Sequence, residues 1–283
     1  MKKNNIIMFA TYWNEIDWIK PSLEQIDELN PVEAIICDGC FDPKKPINST
    51  DGTREVIKKF IKNKPHIRLI SPVRMKRLDA LLNLFISHGK LPKKHYMYPS
   101  RFVTSLLGCK KTKYRINQPL TFNKMINMSK YWKPGMWFMN YDCDQFYSDK
   151  MVEKIKKYCN EKNDYGLLIG DELTFFEDFN QYTCDYEKRK FNNMPHRIYN
   201  DTFIIPTRGI VRENFLFYKY YIGKVKTKHI GHYFHYKFKK TKKRFEDGYK
   251  LGNRVKPDIK EYKFKKIKLK HPKIIQKYEK SLV

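Results

Sequence analysis

Trp137-Phe138-Met139-Asn140-Tyr141-Asp142-Cys143-Asp144-Gln145-Phe146-Tyr147-Ser148-Asp149, "WFMNYDCDQFYSD", runs from an apolar segment straight into two carboxylates one residue apart. An apolar strand that ends in Asp-Cys-Asp asks for a chemical reason. In an extended segment residues i and i+2 lie on one side, so Asp142 and Asp144 are expected to point together into one cleft. Two close carboxylates repel unless something positive sits between or before them. A divalent cation is the obvious candidate, because Mg2+ or Mn2+ takes hard oxygen ligands and commonly binds one or two carboxylates plus substrate phosphates. An exposed pair in a turn is the bland alternative, and the context of a buried strand favours the cation.

That context comes from the residues upstream. Ile6 to Ala10 is a short apolar run followed by polar Thr11, Asn14 and Glu15, which reads as a buried strand ending in a functional turn. A helix is expected from about Ile16 to Leu29 with Pro21 near its first turn, then a strand from Val32 to Cys37 that ends in Asp38-Gly39. Ser49 to Thr53 caps a second helix running to about Lys62, and Ile67 to Ile70 makes a third strand. The middle of the chain is read as an amphipathic helix at Leu78 to Ser87, a basic loop through Lys110 to Arg115, and a helix from Pro119 to Tyr131. Gly135 to Asn140 returns to the sheet as a fourth strand. The fold class is α/β: this order implies a parallel sheet with right-handed crossovers, in which ligands collect beyond the carboxyl ends of the strands. Thr11, Asn14, Glu15, Asp38, Asp51, Asp142 and Asp144 all fall at that edge.

Composition bounds the partners. The 283 residues can bury a sizeable core, and 41% hydrophobic with 15% aromatic content excludes a disordered chain. The balance of 58 Lys+Arg against 30 Asp+Glu gives +28. Abundant Lys, Asn, Ile, Tyr and Phe suggest an AT-rich genome, but such bias does not deplete acids. The excess favours a polyanionic partner, nucleic acid or an acidic membrane surface, over a small neutral one; a solvated surface is the alternative. The six cysteines form no repeated CxxC pair, so Cys37-x-x-Cys40 is read as ordinary reduced thiols. Without an apolar run of about 18 residues or a signal peptide, a cytoplasmic location is expected, in the host if the source is viral. From Lys237 to Lys280 lysine is dense, with Tyr and Phe interleaved. That pattern suits a phosphate backbone with stacked bases, anionic lipid headgroups, or plain solvated faces.

Thr11 to Glu15 (TYWNE), Asp38-Gly39 with the separated Ser49-Thr50-Asp51-Gly52-Thr53, and Asp142-Cys143-Asp144 together resemble the family-2-like glycosyltransferases of the GT-A fold, over residues 5 to 160. The family's compact Asp-Asp-Gly-Ser-x-Asp-Gly-Thr is here split by an insertion from Cys40 to Asn48. The resemblance implies a Rossmann-like nucleotide-binding sheet with helices on both faces, plus a basic C-terminal extension. Residues 1–222 would form the catalytic domain, with 1–145 the nucleotide-sugar half and 146–222 the acceptor half, and 223–283 a basic segment packing on or extending it. It further implies that Thr11 and Glu15 border the nucleoside pocket, that Asp38 hydrogen-bonds the base, and that Asp51 belongs to the same nucleotide-sugar site. Asp142 would lie near the ribose or metal, and Asp144 would coordinate the Mn2+ or Mg2+ that bridges the diphosphate.

Past residue 160, Tyr165 to Gly170 reads as a further strand. His196 to Tyr199 and Gly209 to Glu213 are similar to the family segment in which an acid follows an Arg-containing strand. Glu213 is the first choice for the general base of an inverting displacement, with Asp178, Glu177 and Asp185 as competitors. Ile230 to Tyr236 resembles the segment that supplies a metal-ligating or diphosphate-facing His. His232 and His235 should face opposite ways on a strand, and His235 is preferred as the ligand.

The expected activity is metal-dependent transfer of a sugar from a nucleoside-diphosphate sugar, UDP-sugar favoured, to a hydroxyl. The acceptor favoured by the charge is the hydroxymethylated pyrimidine base of viral (phage) DNA, for instance 5-hydroxymethylcytosine, presented out of the stack with aromatic help from Phe175 to Tyr186 or Phe215 to Tyr221. A surface or lipid-linked glycan, with the basic tail docked on an anionic membrane, is the alternative. A non-catalytic nucleic-acid-binding protein is the rival outside the enzyme class.

Overall fold

The computed structural model describes residues 3–76, 117–133, 136–176, 179–183, 204–206, 226–238 and 264–278. Its first half alternates strand and helix: β1 (Asn4–Tyr12), α1 (Ile19–Leu29), β2 (Pro31–Asp38), α2 (Thr53–Ile61), β3 (Ile67–Ile70), α3 (Asn117–Met128) and β4 (Trp137–Tyr141). β5 (Gln145–Tyr147), α4 (Asp149–Asn160), β6 (Leu167–Phe176), β7 (Gln181–Thr183), β8 (Ile204–Pro206), β9 (Thr227–Phe238), β10 (Lys265–Lys266) and α5 (Lys273–Tyr278) follow. Strands β3, β2, β1 and β4 are neighbours in that order and mutually parallel. β8 pairs antiparallel with both β4 and β6, and beyond β6 lie β7 and β10.

The near-continuous apolar runs of β1 and β2 follow from burial on both faces. In β1, Ile6, Met8, Ala10 and Tyr12 pack with Leu23 and Ile26 of α1, Ile57 of α2 and Met151, Val152 and Ile155 of α4. The alternate residues Ile7 and Phe9 face Phe122, Met125 and Ile126 of α3. This is an α/β sheet with helices on both faces.

Local chemistry sets the element ends. α1 begins at Ile19 and not near Ile16, because the Glu15 carbonyl accepts the Trp18 and Ile19 N–H groups at 2.9 and 2.8 Å in the turn before it. It stops at Asn30, whose left-handed backbone (φ 47°) returns its N–H to Ile26 and Asp27, and Pro31 then opens β2. At α2 the N-cap residue is Gly52, with no side chain to offer, and the first-turn N–H of Thr53 is taken at 3.0 Å by the Asp51 carboxylate.

Part of the segment after residue 222 lies inside this sheet. β9 pairs parallel with β6 and antiparallel with β5, Tyr236 stacks on Trp18 at 5.1 Å, and Ile275 of α5 is fully buried in the same core. Lys277 of α5 pairs with Glu24 of α1 at 2.9 Å. The expected helix at 78–87, the basic loop at 110–115 and residues 239–263 of the lysine-rich segment lie outside the described residues. Among the described residues no helix is long and apolar enough to cross a membrane.

Candidate active site

The loops after β1 and β2 are laced together by side chains bonding to backbone. Asn14, in left-handed conformation at φ 53°, receives the Thr50 N–H at 2.9 Å and gives its own N–H to Ser49 Oγ at 2.8 Å. Glu15 donates its N–H to Thr53 Oγ1 at 2.8 Å, and Ile16 donates to Asp51 Oδ2 at 3.0 Å. Asp38 is fully buried, with one oxygen bonded to the Ser49 hydroxyl and the other to the Ser49 N–H at 3.3 Å and Arg54 Nη1 at 3.2 Å. A carboxylate can be carried at that depth because each oxygen meets a donor. Thr11 sits half-buried at the end of β1, opposite Cys37. The structure thus brings Thr11, Glu15, Asp38 and Asp51 to one edge, where Asp38 and Asp51 brace the two loops.

Asp142 and Asp144 do not continue the strand. Cys143 and Asp144 form a turn closed by the Gln145 N–H on the Asp142 carbonyl at 3.3 Å, which corrects the extended geometry expected from the sequence. The turn arises because β5 must start at Gln145 to pair with β9, Gln145 opposite His235 and Tyr147 opposite Tyr233. The two carboxylates consequently meet different partners. Asp142 Oδ2 accepts from Gln145 Nε2 at 3.3 Å, whereas Asp144 Oδ1 lies 3.4 Å from His235 Nε2. The Asp144 carbonyl holds β9 directly, through the Tyr236 N–H at 2.8 Å.

His235 is the centre of this cluster. Its Nδ1 donates to Glu172 Oε1 at 2.8 Å, and Glu172 also accepts from Thr174 Oγ1 at 2.5 Å and from the Tyr233 hydroxyl at 2.6 Å. Gln145, His235 and Thr174 lie opposite one another across β5, β9 and β6 and so share one face of the sheet. A one-residue register shift beside Gly231, whose φ of +141° suits glycine, sets which β9 side chains reach that face. His232 points elsewhere, 3.7 Å from half-exposed Asp171, so the two histidines separate as their spacing implied.

Burial alone would lower the His235 pKa, but the Glu172 and Asp144 carboxylates outweigh it and raise it to about 9. Burial alone would raise the Glu172 carboxyl; the His235 charge and three hydrogen bonds hold it instead at about 2. Behind the turn, fully buried Gln25 of α1 bonds both the N–H and the carbonyl of Tyr147 and the hydroxyl of Tyr141, fixing β4 and β5 against the helix.

Asp144 and His235 supply an oxygen and a nitrogen of kinds that a divalent cation accepts. Asp144 Oδ1 and His235 Nε2 are separated by 3.4 Å, close to the roughly 3 Å between adjacent ligands of an octahedral ion with 2.0–2.1 Å bonds. Nearby, Gln145 Oε1 is buried and meets no hydrogen-bond donor among the described residues, an acceptor suited to a bound water or hydroxyl. Among the described residues no three His, Cys, Asp or Glu side chains make a cage able to hold an ion on their own. Asp178 and Glu213, with Glu177 and Asp185, lie outside the described residues. Glu172 and Gln145 were not among the residues expected from the sequence. The signal for Glu172 was present as one of two adjacent acids, Asp171 and Glu172, between the apolar ends of β6, followed two residues later by Thr174 on the same face.

No protein-family model matches the chain. No curated protein matches it either. Among solved structures it is similar to the mannosyltransferase PcManGT from Pyrobaculum calidifontis, determined in complex with GDP-Man and Mn2+, at 14% identity and a TM-score of 0.33. That likeness covers 60% of this chain and 36% of the other, little more than a third of its length.

Proposed function

We propose that this chain is a metal-dependent glycosyltransferase that moves a sugar from a nucleoside-diphosphate sugar, a UDP-sugar by preference, to a hydroxyl acceptor with inversion. The observation that carries the reading is the buried Asp144–His235–Glu172 cluster just beyond the carboxyl end of β4, in a sheet whose four parallel strands end at the same edge. In this reading Asp144 and His235 hold Mn2+ or Mg2+, Asp142 lies beside them, and Thr11, Glu15, Asp38 and Asp51 border the nucleotide. A bound divalent ion supplies electrostatic stabilisation for the charge that grows on the departing nucleoside diphosphate. Glu213, or Asp178 in its place, takes the proton from the acceptor hydroxyl as that oxygen attacks the anomeric carbon.

The acceptor we favour is a hydroxymethylated pyrimidine in DNA, because the net charge of +28 would draw a polyanion to the whole chain. The test is nucleotide release from UDP-, GDP- and TDP-sugars with Mn2+ or Mg2+, with and without hydroxymethylcytosine-containing DNA, for the wild type and Asp144→Ala. Release that falls about 100-fold or more in the variant and rises with modified DNA is the expected result. Release indifferent to DNA moves the acceptor to a glycan. DNA binding with no release from any donor sinks the enzyme and leaves a binding protein.

A further inference from the structure

We propose that Glu172 is the positioning residue of this site: it holds the His235 ring with Nδ1–H turned towards β6, so that Nε2, beside Asp144, is the nitrogen offered to a divalent cation. The inference rests on the metal-dependent reading above for the ion, and not for the sugar chemistry. Its basis is how fully Glu172 is committed. Oε1 accepts from His235 Nδ1 at 2.8 Å and Thr174 Oγ1 at 2.5 Å, and Oε2 accepts from the Tyr233 hydroxyl at 2.6 Å. These partners come from the same two paired strands, Glu172 opposite Tyr233 and Thr174 opposite His235, so the carboxylate is held by three side chains whose places the strand pairing sets. A carboxylate engaged in this way orients its neighbour and has little left for direct ligation.

The consequence falls on the other ring nitrogen. With Nδ1 donating to Glu172, a neutral His235 carries its lone pair on Nε2. That nitrogen lies 3.4 Å from Asp144 Oδ1, beyond the 2.7–3.2 Å range of a good N–H···O bond, and nearer the spacing of two adjacent ligands on one ion. The side chains of Asp144, Glu172 and His235 are each less than 10% exposed. A carboxylate behind a ligating histidine is how proteins commonly aim the ring and raise its basicity. Packing alone gives no reason to bury an acid in the middle of β6.

The experiment reads the ion directly, by electron paramagnetic resonance of free Mn2+ titrated with protein in the absence of any nucleotide. It compares the wild type with Asp144→Ala, Glu172→Leu and Glu172→Gln. The Leu variant should bind Mn2+ about 10- to 100-fold more weakly, and the Gln variant, whose amide oxygen still accepts from Nδ1, should recover most of that loss. A folded Leu variant that binds as tightly as the wild type overturns the proposal. Equal loss in the Leu and Gln variants makes Glu172 a direct ligand and also overturns it, as does a wild type with no Asp144-dependent binding. Should the Leu variant fail to fold, Tyr233→Phe and Thr174→Val decide: each should weaken Mn2+ roughly threefold, and unchanged affinity in both overturns the proposal. Mn2+ binding in the expected pattern, alongside failure of every nucleotide-sugar donor, supports Glu172 while sinking the glycosyltransferase.

Discussion

Replacing Gln25 with leucine tests whether the candidate site is braced from behind by α1. Gln25 is fully buried, donates from Nε2 to the Tyr147 carbonyl at 3.2 Å, and accepts at Oε1 from the Tyr147 N–H at 2.9 Å and the Tyr141 hydroxyl at 3.1 Å. Leucine keeps the volume and offers no polar atom, so three buried groups lose their partner together. Each such loss costs about 1–3 kcal/mol, and the added apolar burial returns about 1 kcal/mol. The net expectation is a destabilisation of about 2–8 kcal/mol, a large part of a native stability of roughly 5–15 kcal/mol. Urea denaturation followed by tryptophan fluorescence measures it, with Lys20→Ala, an exposed position on the same helix, as a control expected to stay within about 0.5 kcal/mol. A Gln25→Leu protein as stable as the control refutes the brace, and with it the claim that β5 is held in place by α1.

Two further outcomes follow from the cluster and its strand. In EDTA, the His235 contribution to stability is complete below its ordinary value of 6.5 and is lost as pH rises through about 9, while the Glu172 contribution is complete above 4.5 and is lost as pH falls towards about 2. The alkaline limb, on the order of 2 kcal/mol, should flatten in His235→Asn when urea midpoints are measured from pH 6 to 9.5, and an identical limb in that variant refutes the assignment. Gly231→Ala puts a side chain where φ is +141°, with no closer obstacle to its Cβ than Met151 Cβ at 3.7 Å. Backbone strain alone should therefore lower stability by about 1–3 kcal/mol, and an unchanged thermal midpoint would count against the register shift as a strained device.

The parallel half of the fold was legible because its strands are buried on both faces and carry the signal within four to nine consecutive residues, as in Ile67–Ile70, which the sequence and the structure bound identically. The turn at Asp142 to Asp144 was not. Its shape is imposed by pairing between Gln145 and His235, 90 positions apart, and no local pattern encodes a partner so distant. His235 was singled out by the resemblance of Ile230 to Tyr236 to a family segment, and its spacing from His232 told only that the two rings face opposite ways, since alternation along a strand is local. The register shift beside Gly231 and the contact with Glu172 were illegible for the opposite reason: they depend on how β6 and β9 align.

The same distinction separates the aspartates by role. Asp38 and Asp51 lie in loop sequences that look like nucleotide contacts, yet their oxygens are met by donors from the loops themselves, Ser49 and Arg54 for the one and Ile16 and Thr53 for the other. Burying a charge is tolerated there because the fold supplies the partners. Asp144 is buried as well, but its carboxylate faces an imidazole at a distance too long for a good hydrogen bond, with a second carboxylate, Glu172, on the far side of the same ring. The nearby Gln145 Oε1 finds no donor among the described residues. In the metal-dependent reading proposed above, a cation beside Asp144 and His235 would bring a water or substrate hydroxyl that donates to that oxygen.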